Sequence, residues 1–154
     1  KKVGTKQWLK DIRVFMASSI GKDVRFKWSV EEAVIQIEPD LFKTVMLNLL
    51  DNAIKALEGE GTVRLIGKKE SGGYSFYVED TGKGIAPEDL PRITEAFYMA
   101  DKSRSRSAGG AGLGLSIARE IVRLHGGDIT FESQMGKGTR VHVFLKEGEL
   151  WAGE

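Results

Sequence analysis

The sequence predicts an α+β fold: a two-layer sandwich in which about three helices cover one face of a mixed, largely antiparallel sheet. Two observations lead there. Three stretches repeat apolar residues at three- and four-residue spacing, as a helix with one buried face requires. Six short stretches alternate or run apolar between turn residues, and the two kinds are segregated rather than regularly interleaved.

In chain order, Trp8, Leu9, Ile12, Phe15, Met16 and Ile20 mark a helix over 5–20 that Gly21 stops. Strands are expected at Val24–Trp28 and Ala33–Ile37. Pro39 suits the first turn of a second helix, where its missing N–H is not needed. That helix spans about 39–57, with Met46, Leu49, Leu50, Ala53, Ile54 and Leu57 as its buried stripe. Thr62–Lys68 and Tyr74–Glu79 read as a hairpin turning at Ser71-Gly72-Gly73. A short helix is expected to start at Pro87–Leu90. Leu113, Ile117, Ile121 and Leu124 mark a third long helix, and Asp128–Glu132 and Thr139–Lys146 form a closing pair of strands. Residues 147–154 are expected to fray, leaving one domain over 1–154 with its core at about 5–146.

The 154 residues suit a single core. Lysine plus arginine (23) nearly balances aspartate plus glutamate (22), so net charge provides no general drive toward nucleic acid or membrane. There is no cysteine, which excludes disulfides, and two separated histidines argue against a zinc site. His125 is expected at a helix C-cap, before Gly126-Gly127, and His142 on a strand facing solvent. The chain reads as a cytoplasmic piece of something longer, since it starts at Lys1 without methionine and shows no signal-peptide pattern or apolar run of about 20 residues.

Nineteen glycines, about 12% against roughly 7% on average, fall in tight clusters. Such clusters mean turns, or backbone lying close to a ligand. Four segments carry possible chemistry. Asn48, Asp51, Asn52 and Lys55 occupy i, i+3, i+4 and i+7 on a helix, opposite its apolar stripe. They are either a solvated face or an oxygen-rich surface for hydrated Mg²⁺ and phosphate. Asp80-Thr81-Gly82-Lys83-Gly84-Ile85 follows a strand; Asp80 either caps the turn or accepts a hydrogen bond from a purine amine. An aspartic protease would need a second such carboxylate, and the chain has one Asp-Thr-Gly. Gly109-Gly110-Ala111-Gly112-Leu113-Gly114-Leu115 opens a helix, where free N–H groups and the helix dipole favour an anion. It matches neither a P-loop nor the dinucleotide fingerprint. Lys102, Arg104 and Arg106 stand just upstream, either reaching phosphates or facing water. Gly136-Lys137-Gly138-Thr139 is a hairpin that also offers a hydroxyl.

Taken in order, these segments resemble the ATP-binding catalytic domain of bacterial two-component sensor histidine kinases, in the superfamily of DNA gyrase, Hsp90 and MutL. Asn48 to Lys55 resembles the N box, Asp80 to Ile85 the G1 box, Phe97-Tyr98 the F box, Gly110 to Leu115 the G2 box, and Ser133 to Thr139 the last glycine motif. The resemblance covers about residues 5–146 and implies a Bergerat-type ATP-binding fold. It also implies roles. Asn52, with Asn48 nearby, would coordinate Mg²⁺, and Lys55 would approach the phosphates. Asp80 would bond the adenine amine, with Gly82, Gly84 and Ile85 in the loop against the ring, Tyr98 beside it, and Thr139 at the back of the pocket. A lid over about 99–112, including Gly110, would close on the triphosphate, and Gly112, Leu113, Gly114 and Leu115 would offer backbone N–H groups. Met99 stands where many members carry arginine or lysine, which leaves Lys102, Arg104 or Arg106 to supply the lid's charge, Arg104 first.

The resemblance further implies ATP and Mg²⁺ as ligands. The phosphate acceptor would be a histidine on a dimeric helical hairpin preceding Lys1, and a response regulator would be served through that hairpin. The domain itself would be monomeric, without nucleic-acid or membrane contact, in a parent anchored to the membrane. Catalysis by Lys55 and Arg104 would be positioning and charge stabilisation, so the chain alone would bind ATP with little turnover. The rivals are a related serine kinase or clamp ATPase, and a nucleotide-binding docking module without transfer activity. A clamp ATPase would carry a water-activating glutamate where Asp51 stands.

Overall fold

The computed structural model describes residues 1–95 and 114–147. The elements are β1 (Lys2–Gly4), α1 (Thr5–Met16), β2 (Val24–Val30), β3 (Val34–Gln36), α2 (Pro39–Ala56), β4 (Gly61–Glu70), β5 (Gly73–Asp80), α3 (Gly114–Leu124), β6 (Asp128–Gln134) and β7 (Gly138–Lys146). The main sheet has the order β2-β4-β5-β7-β6. The β2–β4 pair is parallel and the other three pairs are antiparallel.

One sheet face is apolar because every second residue points to it. Val63 and Leu65 of β4, Phe76 and Val78 of β5, and Val141, Val143 and Leu145 of β7 are all buried. They meet Leu9, Ile12 and Met16 of α1, the long stripe of α2, and Ala118 and Val122 of α3 in one cluster. The α2 stripe begins earlier than expected, since Phe42 and Val45 are fully buried too. Trp8, Phe42 and Phe76 lock α1, α2 and β5 together with ring centroids 6.0 to 6.1 Å apart. Full burial of Phe42 and of Phe76 contributes about 1.5–3 kcal/mol each.

The two-layer expectation therefore holds, with four differences. The first helix ends at Met16, and Ala17–Ser19 tightens into a 3-10 turn before Gly21. The second short strand does not join the main sheet; β3 pairs with β1, a segment without alternation to announce it. The helix expected from Pro87 is a 3-10 turn at Leu90–Arg92. On α3 the buried stripe is rotated from the expected one: Ile117 is 43% and Leu124 66% exposed, while Ala118, Ile121, Val122 and His125 are buried. α3 packs against α2 and β6 through Ala118, Ile121 and Val122, which leaves Ile117 and Leu124 on its outer side. Residues 148–154 of the expected tail lie outside the described residues, whereas Glu147 still donates its N–H to the Gly72 carbonyl (2.8 Å).

Candidate functional site

Asp80 ends β5 with its side chain on the helix-covered side of the sheet, opposite Thr139 in the ladder. Its Oδ1 accepts the Gly82 N–H (2.8 Å), an Asx turn that reverses the chain out of the strand. Burial pushes the Asp80 carboxyl above its ordinary range, and N–H groups of Gly82 and Thr139 pull partly against this. A half-buried carboxylate held this way has acceptor capacity to spare for a ligand donor.

The loop after Asp80 is pinned on two sides. Lys83 donates its N–H to the Ala56 carbonyl at the end of α2 (3.2 Å), and a Cβ on Gly82 would lie 2.5 Å from that same oxygen. Gly84 has φ +79°, and a Cβ there would collide with the Gln134 carbonyl. The two glycines are therefore required by close backbone approach, and Gly84 also by its left-handed conformation. On the far side, Ser133 of β6 accepts the Ile85 N–H (2.7 Å), donates to the Gly138 carbonyl (3.0 Å) and lies 2.8 Å from Thr139 Oγ1. Gly136 donates to the Lys83 carbonyl (2.8 Å). Asp80, Gly82, Gly84, Ile85 and Thr139 are thus brought into one wall by Ser133, to which no role fell from sequence. Its position, four residues before Lys137 in the last glycine motif, was the only signal available.

The polar stripe of α2 faces the start of α3, not open water alone. Asn48 donates its amide to the Gly114 carbonyl (3.1 Å), joining the second helix to the end of the glycine run. Among the described residues its Oδ1 meets no donor and can accept from, or ligate, something else, and Leu115 packs partly against the core. Asn52 is exposed one turn on, and Lys55 pairs with Asp51 (2.9 Å). The asparagine oxygens suit a hard cation such as Mg²⁺. Tyr98, Lys102, Arg104, Gly110, Gly112 and Leu113, with Phe97, Met99 and Arg106, lie outside the described residues.

The two histidines are more engaged than expected. His125, 5% exposed, uses Nδ1 toward the Ile121 carbonyl (2.8 Å) and accepts the Glu38 N–H on Nε2 (3.0 Å). It therefore ties the end of α3 to the first residue before α2, satisfying a helix-start donor. His142 does not simply face solvent: it stacks on Tyr77 (4.3 Å between centroids) and lies 2.8 Å from Ser75 Oγ. Burial moves the His142 pKa down, because the outer sheet face is shielded by neighbours that include Arg140 over the same tyrosine.

The comparisons with known proteins agree with this architecture. Residues 37–149 match the family described as histidine kinase-, DNA gyrase B-, and HSP90-like ATPase. The chain is similar to the circadian input-output histidine kinase CikA of Synechococcus elongatus, 38% identical over 76% of this chain and 16% of that protein. It is also similar to the sensor protein SrrB of Staphylococcus aureus, 33% identical over 86% of this chain and 23% of that protein. The chain thus spans less than a quarter of the length of these relatives. Among solved structures, the catalytic domain of histidine kinase ThkA superposes with a TM-score of 0.83 at 24% identity, covering 96% of this chain and 97% of that one. The mycobacterial sensor histidine kinase MprB gives 0.77 at 25% identity, covering 95% and 97%. Full-length ShkA, solved with AMPPNP, gives 0.77 at 27% identity, covering 97% of this chain and 32% of that one. No helix among the described residues is long and apolar enough to cross a membrane. This chain belongs to the histidine kinase-, DNA gyrase B-, and HSP90-like ATPase family, as an ATP-binding domain of the form found in sensor histidine kinases.

Proposed function

We propose that this domain binds Mg²⁺-ATP and presents the γ-phosphate to a histidine on a dimerising helical hairpin of a longer parent. The carrying observation is the half-buried Asp80 carboxylate, beside a loop whose Gly82 and Gly84 leave no room for side chains. Asp80 accepts the adenine amine, Ile85 and Gly84 line the ring, and Thr139 closes the back. Asn52 and the Oδ1 of Asn48 would hold Mg²⁺, which would supply positive charge beside the phosphates. Gly112 to Leu115 supply N–H groups to the phosphates, Tyr98 packs beside the base, and Lys102 or Arg104 provides the lid's cation. Lys55, held by Asp51, swings toward the phosphates when nucleotide competes for its charge.

In the transfer step the bond from the γ-phosphorus to the bridging oxygen breaks and a bond to the imidazole nitrogen forms, with ADP leaving. This domain contributes position and charge; the nucleophile and its base belong to the hairpin, which lies N-terminal to Lys1 in the parent. A response regulator takes the phosphoryl group from there. Residues 1–154 act as one monomeric cytoplasmic domain with its core at about 5–146, free of nucleic-acid and membrane contact.

The test is Mg²⁺-ATP titration calorimetry on the wild type, Asp80→Ala and Asn52→Ala. Loss of binding in the first variant and loss of magnesium dependence in the second are expected; equal binding by all three refutes the pocket. Acid-labile phosphate on the longer parent separates histidine transfer from serine transfer.

A further inference from the structure

We propose that the free edge of β2 docks an extended, acidic segment of another protein, added to the sheet as a further strand. Among the described residues β2 ends the strand order and pairs only with β4. Glu31 donates its N–H to the Gly67 carbonyl, and Asp23 accepts the Gly61 N–H, so the odd-numbered residues of β2 face β4. The alternate residues, Phe26 and Trp28, turn N–H and C=O outward, and no backbone partner meets them among the described residues. The Val24 N–H is taken by the Gly21 carbonyl (3.1 Å), so the open edge runs over residues 25–30, about 20 Å, still long enough to template a short strand.

The side chains determine what fits. Arg25 and Lys27 are exposed on the sheet face away from the helices and stand about 7 Å apart, at i and i+2 of an extended chain. Neither makes an ion pair among the described residues. The cross-strand neighbour of Lys27 is Arg64, a like charge already shared with Glu79 (3.5 Å). Two β2 edges brought together would set these cations against each other, so a second copy of this chain is disfavoured. A strand with carboxylates at i and i+2 meets both cations while its backbone completes the ladder. Its alternate residues, falling beside the half-buried Phe26 and Trp28, are best apolar. Recognition is strand addition, with affinity from the backbone and selection from alternate side chains.

The probe is a short fluorescent peptide of alternating glutamate and valine, followed by anisotropy. Binding that weakens with salt is expected. It should fall roughly tenfold or more in Arg25→Glu/Lys27→Glu, and comparably for the same peptide N-methylated on every second amide. The double variant should keep the wild-type melting temperature and Mg²⁺-ATP affinity, which separates this edge from the nucleotide pocket. Equal binding of a lysine-valine peptide, undiminished binding by the double variant, or indifference to N-methylation would each overturn strand addition. So would concentration-dependent dimerisation through β2 without peptide binding, or tighter binding of a single-stranded oligonucleotide.

Discussion

Replacing Ser133 with alanine should damage nucleotide binding although the hydroxyl bonds only neutral groups. The hydroxyl accepts the Ile85 N–H at 2.7 Å, donates to the Gly138 carbonyl at 3.0 Å, and is 2.8 Å from Thr139 Oγ1. If it donates to Gly138, the Thr139 hydroxyl must donate to it, so one oxygen uses its full bonding capacity. Each neutral hydrogen bond is worth about 0.5–1.5 kcal/mol net, and a buried donor left alone costs about 1–3 kcal/mol. The Ile85 amide is only part-buried, so water relieves some of this, and a loss of about 2 kcal/mol in holding the Asp80–Ile85 loop is expected. Expressed wholly in the loop's competence to bind, that is about a 30-fold rise in the Kd for Mg²⁺-ATP. Expressed wholly in global stability, it is a fall in Tm of about 4–8 °C. Calorimetric titration and thermal unfolding on the same variant divide the loss between the two. Affinity within about twofold of wild type together with Tm within about 1 °C would show that Ser133 does not organise the loop.

Three further outcomes follow from the same geometry. His125→Ala should destabilise the domain by about 2–4 kcal/mol in urea unfolding, because it orphans the Glu38 N–H and removes an edge-on contact with Phe42; a loss below about 1 kcal/mol would mean that the tie between α2 and α3 is redundant. The raised Asp80 pKa makes folding favour its protonated form, so between the unfolded value of 3.8 and the higher folded one its contribution to stability falls as pH rises. A nucleotide amine favours the carboxylate, so Mg²⁺-ATP affinity should drop as pH falls through that raised pKa, with proton release on binding in the same range; an identical pH profile for Asp80→Asn would remove Asp80 as the cause. Asn48→Ala frees the Gly114 carbonyl from its 3.1 Å bond, and should lower Mg²⁺-ATP affinity about tenfold while changing Tm by only about 2–4 °C; Asn48→Asp should lose the same bond for want of a donor, and retained affinity there would refute the bridge.

Chain pattern alone was enough for the outline. Helix and strand periods are local, so α2 from Pro39, the β4–β5 hairpin and the β6–β7 pair were legible, and Asp80, Gly82 and Gly84 stood out because turn chemistry is written in neighbouring residues. The ordered boxes further named the family to which the chain belongs. The tertiary structure alone decided contacts between residues far apart in sequence: that Ser133 clasps Ile85, that Asn48 reaches Gly114, that His125 spans from α3 to Glu38, and that β3 leaves the main sheet for β1. It also rotated α3, whose exposed Ile117 and Leu124 match the expected stripe as well as its buried residues do. A periodic pattern specifies that a helix has an inner face, but which of two overlapping faces is inner depends on the shape of α2 and the sheet against which it packs.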